Sequence, residues 1–387
     1  MTKRIVVAMS GGVDSSVVAA LLKKQGYDVI GMALQVTDYS KYHKEGSSGT
    51  CCSLSDMDDA RRVAERIDIP FYVINTEKAF DKRVVDYFID DYLQGHTPNP
   101  CVMCNTRVKF DYLYRRALEL GASHVATGHY AQVVHDPRWG HVLKRGADPA
   151  KDQSYFLFDL SQNQLSRTMM PLGGLDKSEV RKMAEEFELE VASKPDSQEI
   201  CFVPKNDYAR FVEEHAPAEK IRKGHVVTEC GTPLATHDGI HRFTIGQRKG
   251  LSEALNQAKK LKLKNADSLY VTRIDPEKSL VILGSGQELF KTRLKLKDVN
   301  WIVSPESMEK DQSKGNTENS VSLEVKIRYR SELVPANIEL GQNGECFVSL
   351  KSAQRAVTPG QACVFYHNSL VVGGGWIKDS LREGSFS

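Results

Sequence analysis

Up to about residue 204, short apolar runs alternate with longer stretches of helical pattern. The first apolar run is RIVVAM, and it is followed by VVAALLKKQG, DVIGMAL, SDMDDARRVAERIDI and PFYVINT. This alternation is typical of crossover units, in which helices join the strands of a mostly parallel sheet. It therefore predicts an α/β domain built on a parallel sheet over residues 1–204.

The rest of the sequence changes character twice. Residues 205–288 carry glycine-punctuated turns and short strands, as in GHVVTECGTPLATHDGIHRFTIGQRKGLS, and predict a small adaptor domain. From residue 289 to 387 apolar and polar residues alternate, and the odd-numbered residues from Val321 to Tyr329 share one face. That period predicts a C-terminal β-barrel or sandwich, of which we favour the barrel. A chain of 387 residues is long enough for three such domains.

The stretch SGGVDSS, residues 10–16, joins the first apolar run to the first helical pattern. A glycine turn at this point is common, and Gly11 and Gly12 alone require only a permissive backbone. The combination with three serine hydroxyls and an immediate helix start is more informative, because amides at a helix start favour an anion. The stretch lacks both the lysine of the mononucleotide P-loop and the dinucleotide glycine pattern. It predicts a phosphate site of another kind.

The overall composition leaves the class of partner open. With 52 basic and 50 acidic residues, the chain neither requires nor excludes a polyanionic partner, so a nucleic-acid surface would be a local patch. Eight cysteines are too few for a disulfide scaffold in a chain of this size, which favours a reducing compartment. We expect a cytoplasmic protein without a membrane partner, because no apolar stretch approaches the length of a membrane span and no signal peptide is evident.

Three cysteines form the second candidate site. Cys101 and Cys104 lie in TPNPCVMCNTRVKF, and Cys201 lies in SKPDSQEICFVP. A CxxC pair alone fits half a zinc site, a redox pair or a fragment of an iron–sulfur site. No second CxxC completes a zinc site, and prolines and an asparagine precede the pair, unlike a thioredoxin motif. Sulfur transfer explains the set better, because one thiolate carries a persulfide and a second resolves the resulting linkage.

Two levels of resemblance follow from these motifs. SGGVDSS resembles the pyrophosphate loop of the N-type ATP pyrophosphatases, which split ATP into AMP and pyrophosphate while adenylating an acceptor. Across nearly the whole chain, the sequence resembles the bacterial tRNA-specific 2-thiouridylases. Nine segments carry this resemblance, in this order: SGGVDSS, TPNPCVMCNTRVKF, ATGHYA, KDQSYFL, PLGGLDKSEVRKMA, DSQEICFVP, FTIGQRKGL, RYRSELVPA and VTPGQACVFY. The sequence is thereby identified as a member of that family.

The resemblance implies a fold, an activity and partners. The first domain would be of the ATP pyrophosphatase type, and the enzyme a tRNA-uridine 2-sulfurtransferase. It would adenylate the 2-carbonyl of the wobble uridine with ATP and Mg²⁺, then transfer sulfur from a cysteine persulfide. The expected substrates are the tRNAs for glutamate, lysine and glutamine. A cysteine desulfurase or a sulfur-relay protein would supply the sulfur, and we expect a monomer.

The resemblance also implies roles for individual cysteines. Cys104 matches the nucleophile and Cys201 the persulfide carrier, and the two would form a transient disulfide. Many relatives have aspartate where Cys101 stands. This third thiol could assist catalysis, could be a neutral variant, or could complete an iron–sulfur site with Cys104 and Cys201.

The remaining site residues are implied in three groups. The ATP contacts are Ala8, Met9, Ser10, Gly11, Gly12, Val13, Asp14, Ser15, Leu34 and Gly128. The residues bordering the target base are Asn99, Pro100 and Cys101. The tRNA contacts are His129, Lys151, Asp152, Gln153, Arg328, Tyr329 and Gln361.

Two other functions stay open at this point. Another AMP-forming ATP pyrophosphatase acting on a small molecule would need neither Cys104 nor Cys201 and would leave the barrel unexplained. A non-catalytic module that binds RNA or metal would leave SGGVDSS unexplained.

Overall fold

A computed structural model describes residues 2–37, 54–196, 200–309, 320–341 and 345–381. The strands within these residues are β1 Arg4–Ala8, β2 Asp28–Gln35, β3 Phe71–Asn75, β4 His124–Ala126, β5 Ala131–Asp136, β6 Gly140–Arg145, β7 Thr168–Met169, β8 Gly224–Thr228, β9 Pro233–His237, β10 Leu269–Asp275, β11 Leu280–Ser285, β12 Phe290–Trp301, β13 Ser320–Lys326, β14 Val334–Leu340, β15 Cys346–Arg355, β16 Ala362–His367 and β17 Leu370–Leu381.

Helices connect and cover these strands. The α-helices are Val13–Lys24, Leu54–Arg66, Glu77–Phe80, Asp86–Leu93, Pro100–Met103, Phe110–Glu119, Gln162–Leu165, Lys177–Glu186, Tyr208–His215, Ser252–Lys260 and Pro305–Glu309, and π-helical turns lie at Asp81–Val85 and Cys104–Lys109. Short 3₁₀ turns are Ser154–Leu157, Pro204–Asn206, Ala218–Lys220, Ile240–Arg242, Ala266–Ser268 and Gly286–Leu289. Among the helices in the described part of the chain, none has the length and apolar character needed to cross a lipid bilayer.

The first sheet is parallel, as the alternating pattern predicts. Its strand order is β3-β2-β1-β4-β7, and every neighbouring pair is parallel. The inner residues of β1 and β2 are buried, because helices cover both faces of the sheet. The chain runs from β1 to β2 on one side, whereas β4 pairs with β1 on the other side. The strand order thus reverses between β1 and β4, and in open α/β sheets ligands bind beyond the carboxyl ends of such strands.

A second, smaller sheet lies in the middle of the chain. Its order is β10-β11-β8-β9, with only the β11–β8 pair parallel. The helix Ser252–Lys260 buries Ala254 and Ala258 in the same hydrophobic cluster as Val271 and Val281.

The C-terminal strands form a closed barrel, which decides between barrel and sandwich. The order β12-β15-β14-β13-β16-β17 closes because β12 also pairs with β17. Val321 and Ile327 are buried in its core, as their alternation predicts, and Tyr329 packs against that core half-buried. The hairpin of β5 and β6, although it precedes the middle sheet in sequence, extends the barrel sheet through β17. The first and last parts of the chain therefore share one hydrophobic core.

Candidate active site

The SGGVDSS loop lies at the reversal point of the parallel sheet. It follows β1, and Gly12 is the N-cap of the helix Val13–Lys24, to which no side chain supplies a cap. Gly11 has φ of +75°, and a Cβ there would lie 1.9 Å from the Asp56 carbonyl oxygen. Only glycine fits, because the helix that contains Asp56 packs directly against the loop.

Serine hydroxyls shape the inside of this loop. The Ser10 amide donates to Ser15 Oγ at 3.1 Å, and Ser16 Oγ donates to the Gly12 carbonyl at 2.9 Å. Gly128, which follows β4, comes so close that a Cβ there would lie 2.9 Å from the Ser15 amide nitrogen. The two loops at the reversal point thus meet at the helix N-terminus, where the backbone dipole favours negative charge.

The remaining residues expected to contact ATP are mostly buried. Met9 and Val13 are each 2% exposed, and their contact with ATP stays a prediction. Ala8 ends β1, and Leu34, 7% exposed, lies near the end of β2.

Asp14 is the centre of a charged network that the sequence analysis did not identify. Tyr130 Oη donates to Asp14 Oδ1 at 2.7 Å, and Lys177 Nζ donates to its two carboxylate oxygens at 2.7 and 2.8 Å. The same Lys177 Nζ lies 2.7 Å from Asp196 Oδ1. Lys151 Nζ donates to Asp196 Oδ2 at 2.7 Å. Lys177 and Asp196 lie in two of the segments that carry the family resemblance, and only their tertiary contact reveals the pairing.

Asp196 and Lys151 keep their charges at neutral pH. Burial alone would raise the pKa of Asp196, but hydrogen bonds from Lys151 and Lys177 outweigh it and lower the pKa. The hydrogen bond to Asp196 likewise raises the pKa of Lys151. Burial, with the Asp14 charge beside it, raises the pKa of Tyr130. Tyr130 therefore remains a protonated donor to Asp14.

The chain just before Asp196 is tied to the same loop. Lys194 Nζ donates to the Gly11 carbonyl at 3.0 Å and also to the carboxylates of Asp56 and Asp59. Burial alone would lower the pKa of Lys194, but the two carboxylates raise it by more than burial lowers it, so the net shift is upward. Residues 194–196 are thus held beside the glycine loop by Lys194 and, through Lys177, by Asp196.

The CxxC pair lies on a second helical span. Asn99, which is buried, precedes the helix Pro100–Met103, and proline at the first position suits a helix start. Cys101 is exposed, whereas Cys104 is 7% exposed and begins the π-helical turn Cys104–Lys109. Such turns often mark functional sites.

Cys104 and Cys201 lie against one cluster of hydrophobic side chains. This Phe88 cluster includes Phe88, Phe202 and Phe211, with ring centroids 5.1 Å apart for the first two and 5.3 Å apart for the last two. Cys104 is a buried member of the cluster, and Cys201 packs against it partly exposed. The fold therefore brings two cysteines that are distant in sequence to the same core.

The three cysteines do not form a ready iron–sulfur site. Among the described residues, no group of three His, Cys, Asp or Glu side chains is arranged to hold a metal ion. Cys101 faces solvent while Cys104 is buried, so the arrangement does not support the iron–sulfur alternative.

The residues expected to border the target base are held by the barrel. The Thr97 amide donates to the Pro359 carbonyl at 2.8 Å, and Gln361 Nε2 donates to the Thr97 carbonyl at 2.9 Å. A Cβ on Gly360 would lie 2.9 Å from that same carbonyl oxygen. Gln361, expected from the resemblance to contact tRNA, fixes the segment that precedes the helix Pro100–Met103. A further contact of Gln361 with tRNA stays a prediction.

His129 is partly buried. Its Nδ1 lies 2.9 Å from Thr127 Oγ1, and its ring stacks on Phe110 with centroids 6.1 Å apart. Burial, together with the nearby Lys109 charge, lowers the pKa of His129 to about 3. The imidazole is therefore neutral at physiological pH, and its contact with tRNA stays a prediction.

Asp152 and Gln153 of the KDQ triplet make internal contacts, as Lys151 does with Asp196. Asp152 is 3% exposed, and it accepts hydrogen bonds from the Gly146 amide at 3.1 Å and from Arg145 Nε at 3.0 Å. Gln153 Oε1 accepts from the Tyr130 amide at 2.9 Å. Both side chains stabilise the wall beside Asp14, and their contact with tRNA stays a prediction.

The two barrel residues expected at the tRNA lie at a strand end. Arg328 is exposed and donates to the Arg355 carbonyl at 3.2 Å. The Tyr329 ring packs on Phe156 with centroids 4.5 Å apart, and burial raises its pKa. Arg328 presents charge to solvent, whereas Tyr329 is partly committed to the core.

The parallel sheet, its glycine–serine loop at a bare helix N-terminus and the Lys177–Asp14 pair define an α/β protein with a candidate phosphate site at the reversal point of its sheet. The tRNA-specific 2-thiouridylase MnmA of Geobacter metallireducens is 49% identical over 384 residues, which cover 99% of this chain and 98% of the relative. The chain belongs to the family of tRNA-specific 2-thiouridylases.

Other comparisons found further matches. The 2-thiouridylase MnmA of Clostridium perfringens is 46% identical and covers 98% of this chain and 99% of its own. The matching family models are described as a tRNA methyl transferase HUP domain at residues 3–205, a tRNA methyl transferase PRC-barrel domain at 209–285 and an aminomethyltransferase beta-barrel domain at 291–377. A solved 4-thiouridine synthetase–RNA complex with bound ATP matches 55% of this chain and 50% of its own at 20% identity, with a TM-score of 0.33.

Proposed function

We propose that the protein converts the wobble uridine of tRNA to 2-thiouridine, using ATP to activate the base and a cysteine persulfide to supply sulfur. The observation that carries this proposal is that one domain holds both the glycine loop and the two cysteines. Cys104 and Cys201 share the Phe88 cluster, and Lys194, seven residues before Cys201 in sequence, is bonded to the glycine loop.

The glycine loop would hold the phosphates of ATP. Its backbone amides at the helix start, the hydroxyls of Ser10 and Ser15, and the Lys177 ammonium all face the reversal point of the sheet. ATP enters with Mg²⁺ as one substrate. That ion needs only one or two protein carboxylates in addition to the phosphates, and Asp14 would supply one at the loop.

Activation makes the oxygen of uracil a leaving group. The 2-carbonyl oxygen attacks the α-phosphorus of ATP, pyrophosphate leaves, and the N3 proton is released. The product is an adenylated oxygen on C2, which departs as AMP far more easily than oxide or hydroxide would. Hydrogen-bond donors that are already in place around the phosphates would lower the activation barrier of this step, because they need not reorient as charge develops.

Sulfur transfer then uses two cysteines. The terminal sulfur of a Cys201 persulfide attacks C2 and AMP leaves, so that C2 is joined to Cys201 through two sulfurs. The Cys104 thiolate attacks the Cys201 sulfur, giving a Cys104–Cys201 disulfide, and the base regains its N3 proton as 2-thiouridine. In the other route, Cys104 first releases the terminal sulfur as hydrosulfide, which attacks C2 and yields the same products. A reductant supplies two electrons to reopen the disulfide.

The tRNA would approach the face between the CxxC helix and the barrel. Asn99, Pro100 and Cys101 would border the extruded base, and the exposed Arg328 would meet the backbone phosphates. Lys151, at the mouth of the charged network, would make a second phosphate contact. A cysteine desulfurase or a sulfur-relay protein would load Cys201.

A reconstitution with defined components tests this proposal. The protein is incubated with ATP, Mg²⁺, a persulfide donor and unmodified tRNA for glutamate, lysine or glutamine, and the digested tRNA is analysed for 2-thiouridine by mass spectrometry. We expect 2-thiouridine from the wild type and none from Cys201→Ser. The proposal fails if the wild type forms none, or if Cys201→Ser forms as much as the wild type.

A further inference from the structure

Three exposed arginines meet where the barrel joins the middle domain, residues 209–285. Arg328 follows β13, and Arg355 ends β15. Arg248 lies in the loop before the helix Ser252–Lys260 of the middle domain. The Arg328 Nη2 donates to the Arg355 carbonyl at 3.2 Å, which brings its guanidinium to the Arg355 backbone. We refer to Arg248, Arg328 and Arg355 together as the arginine surface.

One tyrosine ring organises two of these arginines. Tyr270, on β10, has Arg355 Cζ over its ring at 4.9 Å from the centroid and Arg248 Cζ at 5.9 Å. Such cation–π contacts position a guanidinium and leave its N–H donors available to other partners. The ring lies beside Gly286, where an added Cβ would be 3.4 Å from Tyr270 Cε2. Tyr270 therefore holds two positive charges close together.

No carboxylate of the described residues neutralises the arginine surface. None of its three side chains forms an ion pair within the described part of the chain. The Arg248 Nη2 donates instead to the Asp267 carbonyl at 2.6 Å, while the Asp267 carboxylate lies 2.6 Å from Lys259 Nζ. Like charges that are held close together repel each other unless an anion lies between them. The arrangement therefore favours an anionic partner from outside the chain.

The arginine surface is joined to the segment expected to border the target base. Four residues beyond Arg355, the Pro359 carbonyl accepts from the Thr97 amide at 2.8 Å. Four residues before Arg248, the Thr244 hydroxyl lies 3.5 Å from the Thr97 hydroxyl. The segment that precedes the helix Pro100–Met103 thus contacts both stretches of chain that lead to the Tyr270 ring, which favours one ligand that spans the two sites.

An exposed aromatic ring beside the arginines favours a nucleic acid over an acidic protein. Phe290 lies opposite Arg355 in the β12–β15 register and is 41% exposed. Nucleic-acid surfaces combine cations that bind phosphates with aromatic rings on which bases stack. A guanidinium also presents a planar fork of N–H donors that fits a phosphate.

We propose that the arginine surface binds the phosphate backbone of tRNA outside the target nucleotide, and that Tyr270 is a positioning residue for Arg248 and Arg355. Contacts of this kind set the register of a nucleic acid on a protein without reading its sequence. The middle domain thereby takes part in tRNA binding. The proposal rests on the proposed function, because it takes tRNA as the ligand.

Binding of tRNA at two salt concentrations measures this surface without measuring turnover. The affinity of the full chain for unmodified tRNA for glutamate is measured by fluorescence anisotropy at about 50 and about 200 mM salt. Arg248→Gln and Arg355→Gln should each bind about threefold to tenfold more weakly at the lower salt. The slope of log affinity against log salt should become shallower by about 0.7–0.9 for each, the share of one phosphate contact.

Arg222→Gln is the matched control for charge. Arg222 is an exposed arginine of the same domain, and its Nη2 donates to the Pro276 carbonyl at 2.7 Å. The substitution removes the same charge away from the Tyr270 ring, so it should leave both the affinity for tRNA and the salt slope as in the wild type. All of these variants should bind a non-hydrolysable ATP analogue with wild-type affinity, since they leave the glycine loop intact.

Substitutions of Tyr270 test the positioning role. Tyr270→Leu removes no charge, yet it should weaken tRNA binding by about threefold or more because the two guanidinium groups lose their support. Tyr270→Phe keeps the ring and should bind as the wild type does. When both arginines are already glutamine, Tyr270→Leu should cause no further loss, because the tyrosine acts only through them.

The outcomes separate this surface from the proposed function. The proposal is wrong if Arg248→Gln and Arg355→Gln bind tRNA as tightly as Arg222→Gln does, with an unchanged salt slope. It is equally wrong if they bind tRNA normally but accept less sulfur from a donor protein, which would assign the surface to that protein. Wild-type binding by Tyr270→Leu would refute the positioning role. A wild type that binds no tRNA would refute the proposed function itself, and the surface with it. Should one arginine variant fail to fold, the other decides.

Discussion

Gly11 and Gly12 offer a matched test of the glycine loop, because the same substitution should lower stability at Gly11 and affinity for ATP at Gly12. At Gly11, an added Cβ would lie 1.9 Å from the Asp56 carbonyl oxygen, and φ is +75°. The left-handed backbone costs an alanine about 1–2 kcal/mol, and the overlap with a helix backbone adds about 1–3 kcal/mol. Gly11→Ala should therefore lose about 2–5 kcal/mol of stability even without ligand.

At Gly12, the folded protein tolerates the same methyl group. The backbone has φ of −91°, and the nearest atom to an added Cβ is Ser10 Oγ at 3.8 Å. Gly12→Ala should therefore cost less than about 1 kcal/mol of stability, the difference between glycine and alanine as an N-cap. Its methyl group would instead occupy the space through which a phosphate approaches the helix amides. We expect a non-hydrolysable ATP analogue to bind Gly12→Ala about tenfold more weakly than it binds the wild type, a loss of about 1.4 kcal/mol in binding free energy.

Thermal unfolding and calorimetry distinguish the two variants. Gly11→Ala should lower the apparent Tm by about 5–15 °C, whereas Gly12→Ala should unfold within about 3 °C of the wild type. Wild-type affinity for the analogue in Gly12→Ala would refute the assignment of the loop as a phosphate site. A wild-type Tm in Gly11→Ala would refute the packing argument.

Three further substitutions test individual contacts. Gln361→Ala loses the 2.9 Å hydrogen bond to the Thr97 carbonyl, and steady-state kinetics should show kcat about tenfold lower with the KM for ATP unchanged. Asp152→Ala leaves Arg145 without its buried partner, and denaturant unfolding should show a loss of about 3 kcal/mol. Burial lowers the pKa of His129 from 6.5 to about 3, so below pH 6.5 the imidazole is protonated in the unfolded chain but stays neutral in the folded protein. The free energy of unfolding should thus fall by about 2 kcal/mol between pH 7.5 and 5 through this residue, and His129→Gln should remove that part of the slope in urea titrations at both pH values.

Two of these variants have a nearby control. Gln354→Ala, in the same barrel, should leave kcat unchanged. Lys151→Ala should weaken tRNA binding without the stability loss of Asp152→Ala. An Asp152→Ala variant that is fully stable but binds tRNA weakly would contradict the internal role of Asp152 and favour direct contact with RNA.

The periodic parts of the fold could be predicted from the sequence. The apolar run of β1 is buried on both faces and the alternating residues of β13 face the barrel core, so local pattern and tertiary burial agree. The glycine loop was recognisable because its residues are contiguous. The β5–β6 hairpin joins the barrel through Leu370 and Val371 of β17, which no local pattern specifies.

The charged part of the site could not be predicted in the same way. Lys177 and Asp14 are far apart in sequence, and a helical lysine is usually a solvated side chain until a fold places a carboxylate beside it. The KDQ triplet has the composition of an exposed loop, yet Asp152 is buried because its carboxylate satisfies backbone amides such as that of Gly146. The burial of such residues depends on partners that only the tertiary structure supplies.

The central claim is that activation and sulfur transfer are separate steps in one site, with activation first. Its most direct test uses Cys201→Ser with ATP labelled in the α-phosphate, Mg²⁺ and unmodified tRNA. We expect tRNA-dependent release of pyrophosphate and labelled adenylate on tRNA or as AMP, with no 2-thiouridine. Formation of 2-thiouridine by Cys201→Ser at the wild-type level, or by the wild type without ATP, would contradict the account.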